Sequence, residues 1–413
     1  MDEPLRRSAL SVPLYRRFWF GSLLSVPSFQ LFLLGQGWLV FELSHSPLDL
    51  GYLGAAAAVP NIVVSLFGGL LADRINKSRL LLVTSLLQAA LLALLATLDA
   101  RELVEVWHVL VIVALVSVVT GLDWPARQAI YPELIGREHM MSAVALNSIL
   151  WQSSRMVLPA VGGVLITLTD TWVLFAIGAV GFVAMSYLVA KLPHVRGGVG
   201  SGLGWKAFME GVRFITGEPI LWALVVLTYS SMLFGTSFIQ IMPSVAALLG
   251  VGEQGFGSLI SATGFGAMLG TWIIGRYHAH ARLGVIMLAS LTVAAVALQL
   301  FGVVVSAGTF DAATLYFALA MAGIMGLFSS AYLIASMTVI QLRVPDALRG
   351  RVMSLYGITY SLIPLGGLLG GALAHWLDAG AAVGINATLL LLVVGIVGVA
   401  VPRLWREVSH WDA

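Results

Sequence analysis

The 413-residue chain contains no cysteine. That excludes disulfides, thiol nucleophiles and cysteine-ligated clusters. Charge is scarce as well. Only 10% of the residues are Asp, Glu, Lys or Arg, where a soluble domain carries about 25%. Hydrophobic residues make up 59%. So few charges cannot cover that much apolar surface in water, so lipid is the solvent for most of the chain. The net charge is +2, with the bases spread over many connections, which excludes a nucleic-acid surface. No G-x-x-x-x-G-K-[ST] loop occurs, so ATP hydrolysis by that route is excluded, and no G-x-S-x-G elbow stands out. His278 and His280 share a connection without partnering carboxylates, and His375 stands near a segment end. The histidines form no metal-ligand set, and no metal or cofactor is expected.

What the chain does have is long apolar runs. A helix needs about 20 apolar residues to cross a bilayer. Twelve stretches qualify: 18–41, 48–72, 80–98, 104–122, 141–166, 171–192, 220–248, 256–275, 283–306, 312–340, 352–377 and 380–401. They are too long and too uniformly apolar for barrel strands, so an all-α integral membrane protein is expected. The first stretch, led by Arg16 and Arg17, is too long for a signal-peptide core and reads as a retained span.

The basic residues occupy every second gap between these stretches. They fall at Arg6, Arg7, Arg16 and Arg17; Arg74, Lys77 and Arg79; Arg127 and Arg137; Lys191, Arg196, Lys206 and Arg213; Arg276 and Arg282; Arg343, Arg349 and Arg351; and Arg403 and Arg406. The intervening gaps hold only Arg101, and Arg155 lies inside an apolar run. Basic loops resist translocation, so both termini are expected in the cytoplasm, with an even number of spans.

The longest connection separates spans six and seven. Gly197, Gly198, Gly200, Gly202 and Gly204 make its first part flexible. Next, Trp205, Phe208, Met209, Val212 and Ile215 fall at helical spacing, with Lys206, Glu210 and Arg213 elsewhere around the helix. This reads as an amphipathic helix on the cytoplasmic face. It divides the chain into bundles at 1–192 and 219–413, joined by a linker at 193–218. The halves echo each other. Pro132-Glu133, Gly136-Arg137 and Met141-Ser142, with Gly162-Gly163, correspond to Pro345-Asp346, Gly350-Arg351 and Met353-Ser354, with Gly366-Gly367 and Gly370-Gly371. Six plus six spans with parallel similarity is the layout of major facilitator transporters.

The turn after span two reads Gly69-Leu70-Leu71-Ala72-Asp73-Arg74-Ile75-Asn76-Lys77-Ser78-Arg79. It resembles the major facilitator signature G-x-L-A-D-R-x-G-R-K. Asn76 replaces the usual glycine, and Asn tolerates the left-handed conformation. Ser78 replaces a usual base. Asp73 can latch a neighbouring helix start or an arginine, or the charges can be a solvated topogenic turn. With Gly121-Leu122-Asp123-Trp124-Pro125-Ala126-Arg127, Glu210-Gly211-Val212-Arg213-Phe214 and Arg349-Gly350-Arg351-Val352-Met353-Ser354, the chain resembles the branch that includes the enterobactin exporter and the macrolide efflux pumps. The resemblance covers essentially the whole chain. It implies an ion-driven, usually proton-driven, exporter of the inner membrane. Gly69, Asp73, Arg74, Lys77, Asp123, Arg127, Arg349 and Arg351 are the candidate cytoplasmic gate. Asp123 and Arg127 join that charge network or cap span four.

Span five carries Pro159, Gly162 and Gly163, similar to an exporter pattern G-P-x-x-G-G in which Leu158 replaces the first glycine. Pro159 can bend the helix and the glycines permit close packing. Arg155 sits near mid-span, where a charge costs at least about 2.5 kcal/mol, so it should face the protein interior or a wet cavity. It shares a face with Asn147 and Trp151. Its partner is a substrate anion, backbone carbonyls or Gln side chains. Other candidates for lining a transport cavity are Gln30, Asn61, Tyr229, Gln240, Tyr332 and Tyr360. Each alone is more often a helix–helix hydrogen bond than a ligand contact.

Together these readings give a monomeric transporter, not an enzyme, with twelve transmembrane helices in two pseudo-symmetric bundles. Its partners are a small amphipathic substrate, membrane lipids and protons. No acidic residue marks a deep proton carrier, so coupling rests on the resemblance alone. An importer or lysophospholipid flippase on the same fold is the alternative.

Overall fold

The computed structural model describes residues 8–72, 76–193, 205–277, 283–307, 311–345, 348, 351–352, 356 and 358–406. Among these residues the secondary structure is helical, with no strand. In hydrocarbon every backbone N–H and C=O must find a partner within its own segment, and helices do this. The helices are α1 (Pro13–Ser44), α2 (Pro47–Ala72), α3 (Lys77–Ala100), α4 (Val106–Leu134), α5 (Met140–Leu168), α6 (Thr171–Ala190) and α7 (Trp205–Gly217). They continue as α8 (Pro219–Ser230), α9 (Met242–Leu248), α10 (Gly252–Tyr277), α11 (Leu283–Ser306), α12 (Ala312–Arg343), α13 (Leu362–Trp376) and α14 (Ala379–Ala400). Eleven segments of the described residues are long and apolar enough to cross a membrane. The remaining expected span, 352–377, is described only in part, as a 3-10 turn at Ile358–Ser361 running into α13.

Short polar residues start the helices. Asn76, Asp311 and Asp378 each accept a backbone N–H of the first turn, at 3.2, 2.8 and 2.8 Å. Pro219 opens α8, where its missing N–H costs nothing. Asn76 has φ −60°, so it caps α3 and does not take the left-handed conformation expected for it.

The chain forms two compact units. One holds residues 1–43 and 56–202, the other 44–55 and 203–413. In the first unit, Tyr15, Phe18, Leu81, Ile130 and Met185 form one buried cluster. In the second, Leu224, Leu227, Met287, Leu291, Tyr332 and Val339 form another. The start of α2 belongs to the second unit, where Gly51 and Gly54 lie against the backbone of Leu368 and Pro364 in α13.

Packing repeats between the units. In the first, α3 pairs with α6 and Gly121 of α4 lies against Asn61 and Val64 of α2. In the second, α11 pairs with α14 and α10 with α12. The α10–α12 crossing is close: a Cβ on Gly326 would fall 2.0 Å from the Thr263 carbonyl oxygen. Small residues of this kind let helices approach without a hydrophobic driving force. Exposed Leu86, Leu87 and Leu94 on α3, and Leu392, Ile396 and Val399 on α14, face a solvent that must be lipid.

Candidate functional site

Arg155 is the sixteenth of 29 residues in α5, about 22 Å along the helix from its start. It is exposed, and among the described residues it makes no hydrogen bond or ion pair. A guanidinium at this depth persists only beside water or a counter-charge. One turn earlier, Trp151 meets Trp124 of α4 edge-on at 5.3 Å and Phe29 of α1 at 6.5 Å. Two turns earlier, Asn147 accepts a hydrogen bond from the Tyr131 hydroxyl at 2.8 Å. Asn147, Trp151 and Arg155 thus bring an amide, an aromatic cluster and a cation unpaired among the described residues to one face of α5. The aromatics suit apolar rings and the guanidinium suits an anion.

Around this stripe, α5 runs unbroken through Pro159. Pro159, Gly162 and Gly163 are buried, and a Cβ on Gly162 would fall 2.5 Å from Leu34 Cδ2 of α1. The glycine is what lets α1 and α5 meet.

The other cavity candidates are scattered. Gln30 is buried on α1, and Asn61 is half-buried on α2. In the second unit Tyr229 is half-buried, and Gln240 packs its side chain on Gly367 of α13. Tyr360 is exposed. Tyr332 is wholly buried. Its hydroxyl donates to the Leu224 carbonyl at 3.2 Å and lies 2.8 Å from the Thr228 hydroxyl. Tyr332 therefore fastens α12 to α8 and has no free surface for a ligand.

The gate candidates divide too. Asp73, Arg74 and Arg349 lie outside the described residues, and Gly69 is described only as part of α2. Lys77 donates to Glu133 at 3.0 Å, joining the starts and ends of α3 and α4. Arg351 pairs with Glu210 of α7. Asp123 and Arg127 stand inside α4, which continues to Leu134 past the expected span end at 122, so Asp123 is not a terminal cap. Their side chains form a buried ion pair, with Arg127 Nε donating to Asp123.

Span seven held a feature that hydropathy did not announce. After α8 the backbone widens into a π turn at Ser231–Thr236, then tightens to a 3-10 turn at Ser237–Ile241 before α9. Gly235, Thr236 and Pro243 were the available signals.

This helical architecture defines a polytopic membrane protein. A family model described as transmembrane secretion effector matches residues 6–410. The chain belongs to that family of major facilitator transporters. The multidrug efflux pump Tap of Mycolicibacterium fortuitum is 25% identical over 400 residues, covering 90% of this chain and 91% of Tap. The staphyloferrin A transporter of Staphylococcus aureus is 24% identical over 360 residues, covering 83% and 86%. The enterobactin exporter EntS of Shigella boydii is 24% identical over 402 residues, covering 93% and 90%. The nucleoside transporter NupG shares the fold, with a TM-score of 0.74 at 13% identity over 94% of this chain and 99% of NupG.

Proposed function

We propose that the protein exports amphipathic organic molecules from the cytoplasm by alternating access, in exchange for protons. The observation that carries this reading is Arg155, unpaired among the described residues, one helical turn from Trp151 and its ring partners Trp124 and Phe29. A mid-span cation that the described residues leave unpaired, one turn from a cluster of edge-on rings, suits a ligand with both apolar and anionic parts. Relatives that include a multidrug efflux pump and an enterobactin exporter support export over uptake. The alternating basic loops support a cytoplasmic-membrane location with both termini inside. On this reading residues 1–192 and 219–413 are the two bundles that exchange access. Gln30, Asn61, Asn147, Tyr229, Gln240 and Tyr360 contribute to the path, and Lys77 and Arg351 belong to the cytoplasmic gate.

The test is efflux of a panel of amphipathic dyes and drugs from cells expressing the protein, with and without an uncoupler. Export predicts lower retention that the uncoupler restores, and accumulation in inverted vesicles. Accumulation in whole cells instead would make it an importer. Uncoupler-insensitive efflux would remove proton exchange.

A further inference from the structure

We propose that Asp123 is the site that takes up and releases the coupled proton, with Arg127 as the counter-charge that controls it. The inference rests on the exporter reading for its biological role, though not for the protonation itself.

The pair is placed where a purely structural tie is expensive. Asp123 is 5% exposed and Arg127 8%, in a segment long and apolar enough to span the membrane. Two desolvated charges recover little more than they lose on burial, and neutral packing would hold three helices as well. Charges kept at such depth mark proton and ion paths.

The surroundings supply partners for both protonation states. Arg127 Nη1 donates to the Ser25 hydroxyl of α1 at 3.2 Å. The Thr84 hydroxyl of α3 lies 2.7 Å from Asp123 Oδ1 and 3.1 Å from the Leu81 carbonyl oxygen. With Asp123 ionised, Thr84 donates to the carboxylate. With Asp123 protonated, Thr84 can donate to Leu81 and accept the new O–H. The carboxyl therefore changes charge without leaving a buried hydroxyl unsatisfied.

Among the described residues of α1, α3 and α5, no other charge duplicates this position. On α3 the charged residues stand at the ends, Lys77 and Arg79 at one and Asp99 at the other. On α1 they are Arg16 and Arg17 near the start and Glu42 near the end, and on α5 the charge is Arg155. Tyr131, one turn beyond Arg127, and Tyr15 of α1, whose ring lies 6.2 Å from that of Tyr131, are the neighbouring phenols.

The step is a simple proton transfer. The carboxylate gains one proton from the aqueous side open to it, Arg127 remains a guanidinium, and the pair goes from neutral to +1. An uncompensated buried guanidinium is costly, so the protonated form favours a state in which Arg127 reaches water or an anion. Loss of the proton restores the pair and the state described here.

Infrared difference spectra of the purified, lipid-reconstituted protein on acidification test the protonation. The unmodified protein should show a carboxylic-acid band rising together with a backbone amide change. Asp123→Asn should lose the amide change and the part of the band that rises with it. A band and amide change that survive in Asp123→Asn overturn the proposal, as does the absence of any such coupled change in the unmodified protein. Should Asp123→Asn not fold, Thr84→Val keeps the charge pair and should move the pH at which the band appears. An unmoved band overturns the proposal. Exchange of an anionic amphipathic dye, carboxyfluorescein, in liposomes gives the functional arm. Asp123→Asn should lose pH-gradient-driven accumulation at least about tenfold, and the counterflow that remains should lose its pH dependence, a signature that a merely structural tie would not produce. Accumulation that survives in Asp123→Asn, or counterflow that keeps its pH dependence, overturns it. Absence of carboxyfluorescein counterflow in the unmodified protein would count against the export reading and leave the infrared result to decide this one.

Discussion

Ser306, at the end of α11, donates its hydroxyl to Asp378, the cap of α14, at 2.9 Å. The first unit has a counterpart at the same seam. Thr171 at the start of α6 donates to Asp99 near the end of α3 at 2.5 Å. Hydroxyl and carboxylate have traded places between the repeats, yet each bond joins a third helix to a sixth.

The two bonds differ in burial, and so should their loss. Thr171 is 1% exposed, while Ser306 is exposed. Thr171→Val should lower stability by about 1–3 kcal/mol, because it strips a donor from a partly buried carboxylate. Ser306→Ala should cost less than about 1 kcal/mol. Thermal unfolding in one detergent measures both. The double variant should be additive within about 0.5 kcal/mol, since the sites share no partner.

The α10–α12 crossing separates two neighbouring glycines. A Cβ on Gly326 would strike the Thr263 carbonyl at 2.0 Å, whereas on Gly323 the nearest heavy atom, the Ala262 carbonyl oxygen, is at 3.7 Å. Gly326→Ala should therefore destabilise by about 1–3 kcal/mol and reduce the folded yield. Gly323→Ala should be near neutral. Size-exclusion profiles and melting temperatures of the two variants check the contrast.

How far the sequence carries depends on what each feature leaves in hydropathy. Apolar runs and alternating bases announced the spans because lipid leaves few other ways to satisfy the backbone. Periodicity also announced α7, whose observed range, Trp205–Gly217, begins at the residue expected. Asp123 and Arg127 were hidden by the same rule. Two charges within five residues look like a loop, so a span read from hydropathy ends at 122, although at i,i+4 they neutralise each other inside α4. The break in span seven was hidden because a π turn followed by a 3-10 turn changes no hydropathy. Tyr332 shows the limit for single polar residues. A buried tie and a cavity-lining phenol look the same in one dimension.

Asp311 caps α12 from outside the membrane. The Thr314 hydroxyl at 2.6 Å and amide at 2.8 Å hold its carboxyl below the usual carboxylate range. A depressed pKa means that the cap's stabilisation is present above the unfolded-state pKa and fades as pH falls through the folded one. Hydrogen exchange in the first turn of α12 should quicken under acid in the unmodified protein. In Asp311→Asn the rate should lose that pH dependence, after allowance for the intrinsic exchange chemistry.

Glu210 of α7 and Arg351 are both partly exposed, so their ion pair should add no more than about 1 kcal/mol. Glu210→Arg should weaken the contact and Arg351→Glu in the same chain should recover it. Protease accessibility of the 194–204 connection reads the effect. Failure of the double variant to recover would show that packing, not charge, seats α7.

The most direct test of the central claim is the efflux rate of Arg155→Gln against the unmodified protein, at equal membrane abundance. If Arg155 meets the cargo, neutralising it should slow efflux of anionic amphipaths at least about tenfold, equivalent to about 1.4 kcal/mol, with melting temperature unchanged. Unaltered efflux of every compound the protein exports would contradict the account.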